Sequence, residues 1–282
     1  MTAWSRPQRD VGLGLVLTRQ SNHAIRLSLL AVVVAALFLL LSSISALAVE
    51  ISIATASDLN FAFKELVAEY EKASGNQVKL TLGSSGNFYT QIHNGAPFDL
   101  YFSADIAYPK KLEESGLTVP GSLYRYAVGR IVLWAGNDSR IDVTRGFEVL
   151  REPSVKKIAI ANPKHAPYGR AAVSAMAYFK VSDQVKNKLI LGENISQAAQ
   201  FIESGACEIG VIALSLALAP AMKGKGTYWE VPAEAHPPLE QGAVILKSST
   251  RQKSAMQFLT FIKSPPGREI LTRYGFVVPE SR

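Results

Sequence analysis

The chain has little cysteine: Cys207 is the only one in 282 residues. No disulfide can form within the chain, which excludes the small disulfide-stabilised folds of many exported proteins. Cys207 precedes an apolar segment, a position typical of a buried structural thiol rather than of a nucleophile. The four histidines are scattered and lack the spacing of metal ligands.

The sequence also lacks glycine-rich nucleotide-binding motifs and long runs of charge of one sign. The segment Gly83-Ser84-Ser85-Gly86-Asn87 departs from the G-x-S-x-G motif of hydrolases, because residue 87 is Asn. The basic residues form no stripe of the kind that binds nucleic acid. We therefore expect no nucleic-acid partner, no cofactor and no enzymatic activity. A serine hydrolase that pairs Ser85 with His165 remains an alternative.

Residues 1–48 differ in composition from the rest of the chain. Four arginines precede an apolar run at 27–41, and small residues end the segment at Ala46-Leu47-Ala48. This order predicts a signal peptide cleaved after Ala48 and a periplasmic protein. Its removal lowers the net charge from +7 to +4, since it carries four Arg and one Asp. The alternative is an uncleaved helix at 27–49 that tethers a sensor to the membrane.

Beyond residue 48, short apolar strands alternate with amphipathic helices. In the first helix Phe63, Leu66, Val67 and Tyr70 share one face. The alternation predicts α/β architecture with largely parallel sheets. Long apolar stretches at 127–135 and 242–248 are interpreted as strands that cross between two lobes. We expect residues 49–126 plus 243–282 to form lobe one and 127–242 to form lobe two, with a cleft between them.

Three strands run into turns of small polar residues that open helices. Ser57 lies in the turn Thr55-Ala56-Ser57-Asp58, and Ser85 in Gly83-Ser84-Ser85-Gly86. Each serine alone is explained by helix capping. Ligands of open α/β sheets bind beyond the carboxyl ends of strands. The two serines are therefore expected at the same edge of the sheet, at the opening of one cleft. Their hydroxyl and backbone N–H groups are suited to hold an oxyanion without a cationic side chain.

The third turn, Asn162-Pro163 through Ala166-Pro167-Tyr168-Gly169, opens a helix in lobe two. Pro167 has no N–H, and the N–H of Tyr168 at the helix start is a candidate donor. Ile195 begins another helix, where its backbone N–H is a candidate donor as well. The structural alternatives are a surface tyrosine and a core isoleucine.

Several segments together carry a resemblance to a known family. They are Thr55-Ala56-Ser57-Asp58-Leu59, Gly83-Ser84-Ser85-Gly86, Gln91-Ile92-His93-Asn94-Gly95-Ala96-Pro97-Phe98-Asp99-Leu100, Phe102-Ser103-Ala104-Asp105, Asn162-Pro163-Lys164-His165-Ala166-Pro167-Tyr168-Gly169 and Arg273-Tyr274-Gly275-Phe276. With them the chain resembles the periplasmic molybdate-binding proteins of ABC importers over residues 50–279. The resemblance implies a two-lobed, class II periplasmic-binding fold. Each lobe would be a mixed sheet flanked by helices, with two crossover strands as the hinge.

The resemblance also implies the site. Ser57 and Ser85 would donate hydroxyl and N–H groups to the oxyanion, and Tyr168 and Ile195 would donate backbone N–H groups, with none of the four bound to the metal atom itself. Asp58 stands where some members donate a further N–H, and its side chain would have to point away from the anion. Some members place a tyrosine hydroxyl on the ligand after the strand that matches 209–212. This chain has Ala213 there, and the ring or hydroxyl of Tyr168 is a candidate replacement.

The implied ligand is molybdate or tungstate, and the implied partner is a membrane permease that receives it from a monomeric binding protein. A receptor of the same fold for sulfate, phosphate or another small oxyanion is the nearest alternative.

Overall fold

A computed structural model describes residues 1–2 and 49–280. The predicted signal peptide and its cleavage after Ala48 therefore lie outside the described residues. Residues 49–280 form one compact unit. None of the described helices combines the length and the hydropathy needed to cross a bilayer.

The described residues form two five-stranded mixed sheets. The strands are β1 Glu50–Ala56, β2 Gln77–Gly83, β3 Leu100–Ser103, β4 Tyr124–Gly129, β5 Ile131–Gly136, β6 Ile158–Ala161, β7 Leu189–Gly192, β8 Ile209–Ala213, β9 Gly226–Glu230 and β10 Leu239–Ile245. The first sheet has the order β2-β1-β3-β10-β4, and the second has the order β7-β6-β8-β5-β9. We call each sheet with its helices a lobe, lobe one holding the first sheet and lobe two the second.

The helices connect and cover these strands. The α-helices are α1 Asn60–Ser74, α2 Ser85–His93, α3 Ala107–Glu114, α4 Pro167–Tyr178, α5 Ser182–Val185, α6 Ile195–Glu203, α7 Leu214–Ala217, α8 Gln252–Lys263 and α9 Pro265–Arg273. Short 3-10 helices lie at Ser57–Leu59, Asn137–Ser139, Val143–Arg151, Lys186–Lys188 and Ala233–Ala235. The α/β architecture predicted from the sequence is confirmed.

The two sheets share one pattern of strand directions. In lobe one β1 runs parallel to β2 and β3, and β10 runs antiparallel to β3 and β4. In lobe two β6 runs parallel to β7 and β8, and β5 runs antiparallel to β8 and β9. The sheets are thus more mixed than the largely parallel sheets predicted. In lobe one the strand that runs opposite to its neighbours is β10, the last strand of that sheet along the chain. In lobe two it is β5, the first strand of that sheet along the chain.

Two connections join the sheets. β4 ends at Gly129 and β5 starts at Ile131, so Arg130 alone separates them. The second connection is residues 231–238, between β9 and β10. It does not lie at 242–248 as expected, because β10 pairs with β3 and β4 along its length. Strand pairing therefore places residues 127–129 and 239–242 in the first sheet. The division of the chain into two lobes at 126/127 and 242/243 stays a prediction.

The core of lobe one forms where α1 packs on the first sheet. The four residues predicted to share a face of α1 are all buried. Phe63 meets Phe102 edge-on with a ring-centroid distance of 4.8 Å, and Phe258 of α8 at 6.1 Å. α1 ends at Gly75, whose φ of 72° suits a residue without a side chain. Cys207 is buried, as expected of a structural thiol, and burial raises the pKa of its thiol.

Replacement of Phe63 by Ala is expected to lower the free energy of unfolding by about 3–5 kcal/mol, because it leaves a cavity among aromatic rings that cannot close over it. Urea unfolding followed by circular dichroism measures the loss. Met256→Ala on α8, where the side chain is 42% exposed, is the matched control and should change the midpoint little. Equal losses in the two variants would contradict this picture of the core.

Candidate functional site

The two predicted serines lie at the carboxyl ends of neighbouring strands. Ser57 follows β1 and starts the 3-10 helix Ser57–Leu59, while Ser85 follows β2 by one residue and starts α2. Ala56 and Gly83, which precede these turns, are paired in the sheet register. Parallel strands therefore place the two turns side by side, as the sequence predicts.

The two predicted donors of lobe two have the same arrangement. Tyr168 is the second residue of α4, which follows β6, and Ile195 is the first residue of α6, which follows β7. The last residues of these strands, Ala161 and Gly192, are paired in the register. N–H groups in the first turn of a helix have no acceptor within that helix.

All five predicted site residues line one small cavity between the lobes: Ser57, Asp58, Ser85, Tyr168 and Ile195. Further lining residues are Gly83, Ser84, Ala104, Ala166 and Pro167. The cavity is small, with only about 10 Å³ of room for a water-sized sphere. Pockets for drug-sized ligands measure roughly 300–1,000 Å³, so this one has room for a very small ligand at most. Its lining includes no Lys, Arg or His.

The serine hydroxyls are oriented by backbone donors. Ser85 Oγ accepts a hydrogen bond from the N–H of Ala104 at 2.9 Å, and Ser57 Oγ accepts one from the N–H of Ser196 at 3.3 Å. A hydroxyl that accepts in this way keeps its own hydrogen for another acceptor. Among the described residues neither hydroxyl has such an acceptor. Both serines are thus equipped to donate to a ligand oxygen in the cavity.

Asp58 lies deep between the lobes and is 1% exposed. Its Oδ2 accepts hydrogen bonds from the Tyr168 hydroxyl at 3.0 Å and from Gln241 Nε2 at 2.7 Å. Burial raises the pKa of Asp58 to about 6, and the two donors offset part of that rise. The Tyr168 hydroxyl thus donates its hydrogen to Asp58. That the ring or hydroxyl of Tyr168 replaces a ligand contact stays a prediction.

Sequence reasoning missed two members of this buried network. Gln241, on β10, also donates to the Tyr168 hydroxyl, and its Oε1 accepts from the Tyr126 hydroxyl at 2.7 Å. Gln241 is fully buried in a strand whose remaining residues, apart from Glu240, are apolar or glycine. A lone amide in such a strand is the only sequence signal for it, since buried amides require partners.

Ala213 ends β8 and does not line the cavity. Ala213 therefore contributes no polar side chain to the cavity. Instead, Ser215 of α7 donates its hydroxyl to the backbone oxygen of Asp58 at 2.7 Å. This bond joins lobe two to the turn that follows β1.

Direct contacts between the lobes border the cavity. The N–H of Gly86 donates to the backbone oxygen of His165 at 2.9 Å, and His165 Nδ1 lies 2.8 Å from Ser84 Oγ. Arg170 of α4 pairs with Asp105 of lobe one at 2.6 Å. The lobes therefore close directly on each other. His165 reaches the cleft, but its partner is Ser84 and not Ser85, so the predicted nucleophile–base pair of a hydrolase is not formed.

A family model described as bacterial extracellular solute-binding protein matches residues 51–277. The molybdate-binding protein of Azotobacter vinelandii is 38% identical over 232 residues, which cover 82% of this chain and 91% of the relative. That of Rhodobacter capsulatus is 38% identical over 235 residues, covering 83% and 91%.

Solved structures give the same result. The periplasmic molybdate-binding protein of A. vinelandii superimposes with a TM-score of 0.77 at 34% identity, covering 82% of this chain and all of that one. A sulfate-binding protein of Mycobacterium tuberculosis reaches a TM-score of 0.64 at 14% identity over 81% of this chain and 86% of its own, a likeness of fold alone. The two-lobed α/β fold implied by the sequence is thus confirmed.

Replacement of Gly86 by Ala is expected to hold the lobes apart. An added Cβ would lie 2.8 Å from the backbone oxygen of His165 and 2.9 Å from the Tyr108 hydroxyl. The radius of gyration from small-angle X-ray scattering should rise, while far-UV circular dichroism stays unchanged. At Gly136 an added Cβ meets no atom nearer than 3.9 Å, so Gly136→Ala is the matched control. An unchanged radius for Gly86→Ala would contradict close contact at this point.

Proposed function

Because the chain belongs to the family of bacterial extracellular solute-binding proteins, we propose that it captures molybdate or tungstate between its lobes and delivers it to an ABC permease. The observation that carries this proposal is the meeting of Ser57, Ser85, Tyr168 and Ile195, from both lobes, around one small cavity. The two relatives named molybdate-binding protein, each 38% identical, support the choice of ligand.

The neutral donors around the cavity suit a dianion that is released again. Hydrogen bonds from N–H and O–H groups to a charged oxygen are stronger than bonds between neutral groups. The N-termini of α2, α4 and α6 add partial positive charge at the cavity, since Ser85, Tyr168 and Ile195 lie in their first turns. No cationic side chain takes part, so selection among tetrahedral dianions falls to cavity size. A receptor for the smaller sulfate or phosphate ion is the alternative.

The proposal also covers the export, the oligomeric state and the absence of catalysis that go with such a receptor. The protein is exported to the periplasm by residues 1–48, acts as a monomer and catalyses no reaction. The two lobes close over the anion by a hinge at Arg130 and at 231–238, where the chain passes between the sheets. The hydrogen bonds between lobes described above represent the closed state.

Isothermal titration calorimetry with molybdate, tungstate, sulfate and phosphate tests the ligand. Tight binding of the first two and weak or absent binding of the others is expected. Heat from sulfate or phosphate with none from molybdate or tungstate would overturn the assignment. Elemental analysis of the protein purified without added anion, for molybdenum and tungsten, is an independent measurement.

Replacement of Ser85 by Ala is expected to raise the Kd for molybdate about 10–100-fold, because a hydrogen bond to a charged group contributes about 1.5–3 kcal/mol. Calorimetry measures the change, and circular dichroism establishes that the variant is folded. Ser115→Ala is the matched control, since that exposed hydroxyl bonds only within α3, to the oxygen of Lys111. Wild-type affinity in Ser85→Ala would remove Ser85 from the site.

A further inference from the structure

Asp58 is the one acidic residue among those that line the cavity proposed for the anion. It directly follows Ser57, and its carboxyl group is buried between the lobes. A bound dianion and an ionised Asp58 would repel each other across a site from which water is largely excluded. An ionised Asp58 would therefore weaken the binding of the anion that the proposed function requires.

The two oxygens of this carboxyl group have different surroundings. Oδ2 accepts from Tyr168 and Gln241, at 3.0 and 2.7 Å. Oδ1 is buried and forms no hydrogen bond of normal geometry with the described residues, although the nearby backbone N–H groups of Asp58 and Leu59 lower the pKa of the carboxyl group. Since Oδ2 already accepts two hydrogen bonds, Oδ1 is the oxygen that can carry a proton. A protonated Oδ1 is neutral and can donate a hydrogen bond.

No cation compensates the charge of Asp58. The titratable groups that face it are two phenols, Tyr168 from α4 and Tyr126 from β4. Gln241 of β10, Ser215 of α7 and Ser196 of α6, which contact Asp58 or the neighbouring Ser57, are neutral. The nearby charged side chain of α4, Arg170, is paired with Asp105 instead. Within the described residues Asp58 takes part in no ion pair.

We propose that Asp58 takes up one proton from solvent when the oxyanion binds, and that this residue thereby sets the affinity of the site around neutral pH. The carboxylate and the proton combine to the neutral acid at Oδ1, and release of the anion returns the proton. This inference rests on the proposed function. It adds a specific role for a residue that contributes no favourable charge to the ligand.

The direction of the pH dependence follows from the raised pKa. Burial raises the pKa of Asp58 to about 6 in this closed arrangement of the lobes, so the group is mostly ionised at pH 7 and above. The anion then binds only together with a proton, and affinity falls about tenfold for each pH unit well above 6. Below pH 6 the group is already protonated and the dependence ends.

The experiment compares wild type with Asp58→Asn by calorimetry with molybdate from pH 6 to pH 8, where molybdate stays a dianion. Each titration is repeated in two buffers of different ionisation enthalpy, which gives the number of protons taken up. Asn keeps the size of the side chain and an oxygen for Tyr168 and Gln241, and it does not titrate. The wild-type Kd should rise about 50-fold between pH 6 and pH 8, with nearly one proton taken up per anion at pH 7.5.

Asp58→Asn should show a Kd that is independent of pH, no proton uptake, and tighter binding than wild type at pH 8. His165→Gln is the control for the other titratable group at the cleft and should keep the proton uptake of wild type. A pH-independent wild-type Kd, or an Asp58→Asn variant that still takes up a proton, would overturn the role of Asp58 and leave the receptor function standing. A wild type that binds neither molybdate nor tungstate at any of these pH values would overturn the proposed function and this inference with it.

Discussion

A dianion held without a cation requires donors on every side, and this constraint explains how the proposed site is built. One helix terminus supplies only a few N–H groups. Two sheets must therefore direct their strand ends at each other, so that turns from β1 and β2 meet turns from β6 and β7. The short connections at Arg130 and at 231–238 join the two sheets in this arrangement, and they are the places where the proposed hinge would lie.

The buried network behind the cavity adds a second constraint. Asp58, Tyr168 and Gln241 form hydrogen bonds with one another across the boundary between the lobes. Burial raises the pKa of Tyr168 well above its ordinary value, so this phenol remains a neutral donor. Gly129 faces the group closely, since an added Cβ would lie 2.2 Å from the Tyr168 hydroxyl. The crossing between β4 and β5 is thus packed directly against this hydrogen-bonded group.

The sequence predicts those parts of the molecule that depend on neighbouring residues. A strand followed by a small polar turn and a helix is a local pattern, and it located Ser57, Ser85, Tyr168 and Ile195 at the strand ends that line the cavity. Their contacts with an anion remain a proposal.

Features that depend on distant pairing were missed. Gln241 lies 183 residues from Asp58, and no local motif connects them. The second crossing was predicted at 242–248 instead of 231–238. An apolar strand has the same sequence pattern whether it crosses between two sheets or pairs within one. Likewise, spacing cannot tell whether His165 will meet Ser84 or Ser85, since that choice depends on how the lobes close.

The matching strand directions of the two sheets have a consequence for unloading. In the proposed site each lobe would supply half of the hydrogen-bond donors around the anion, from the turns that follow two parallel strands. Neither half would surround the ion by itself. Separation of the lobes by the width of a water molecule would rehydrate both halves at once. A membrane partner that pulls the lobes apart would then need no chemistry and no competing ligand, because water itself would complete the exchange.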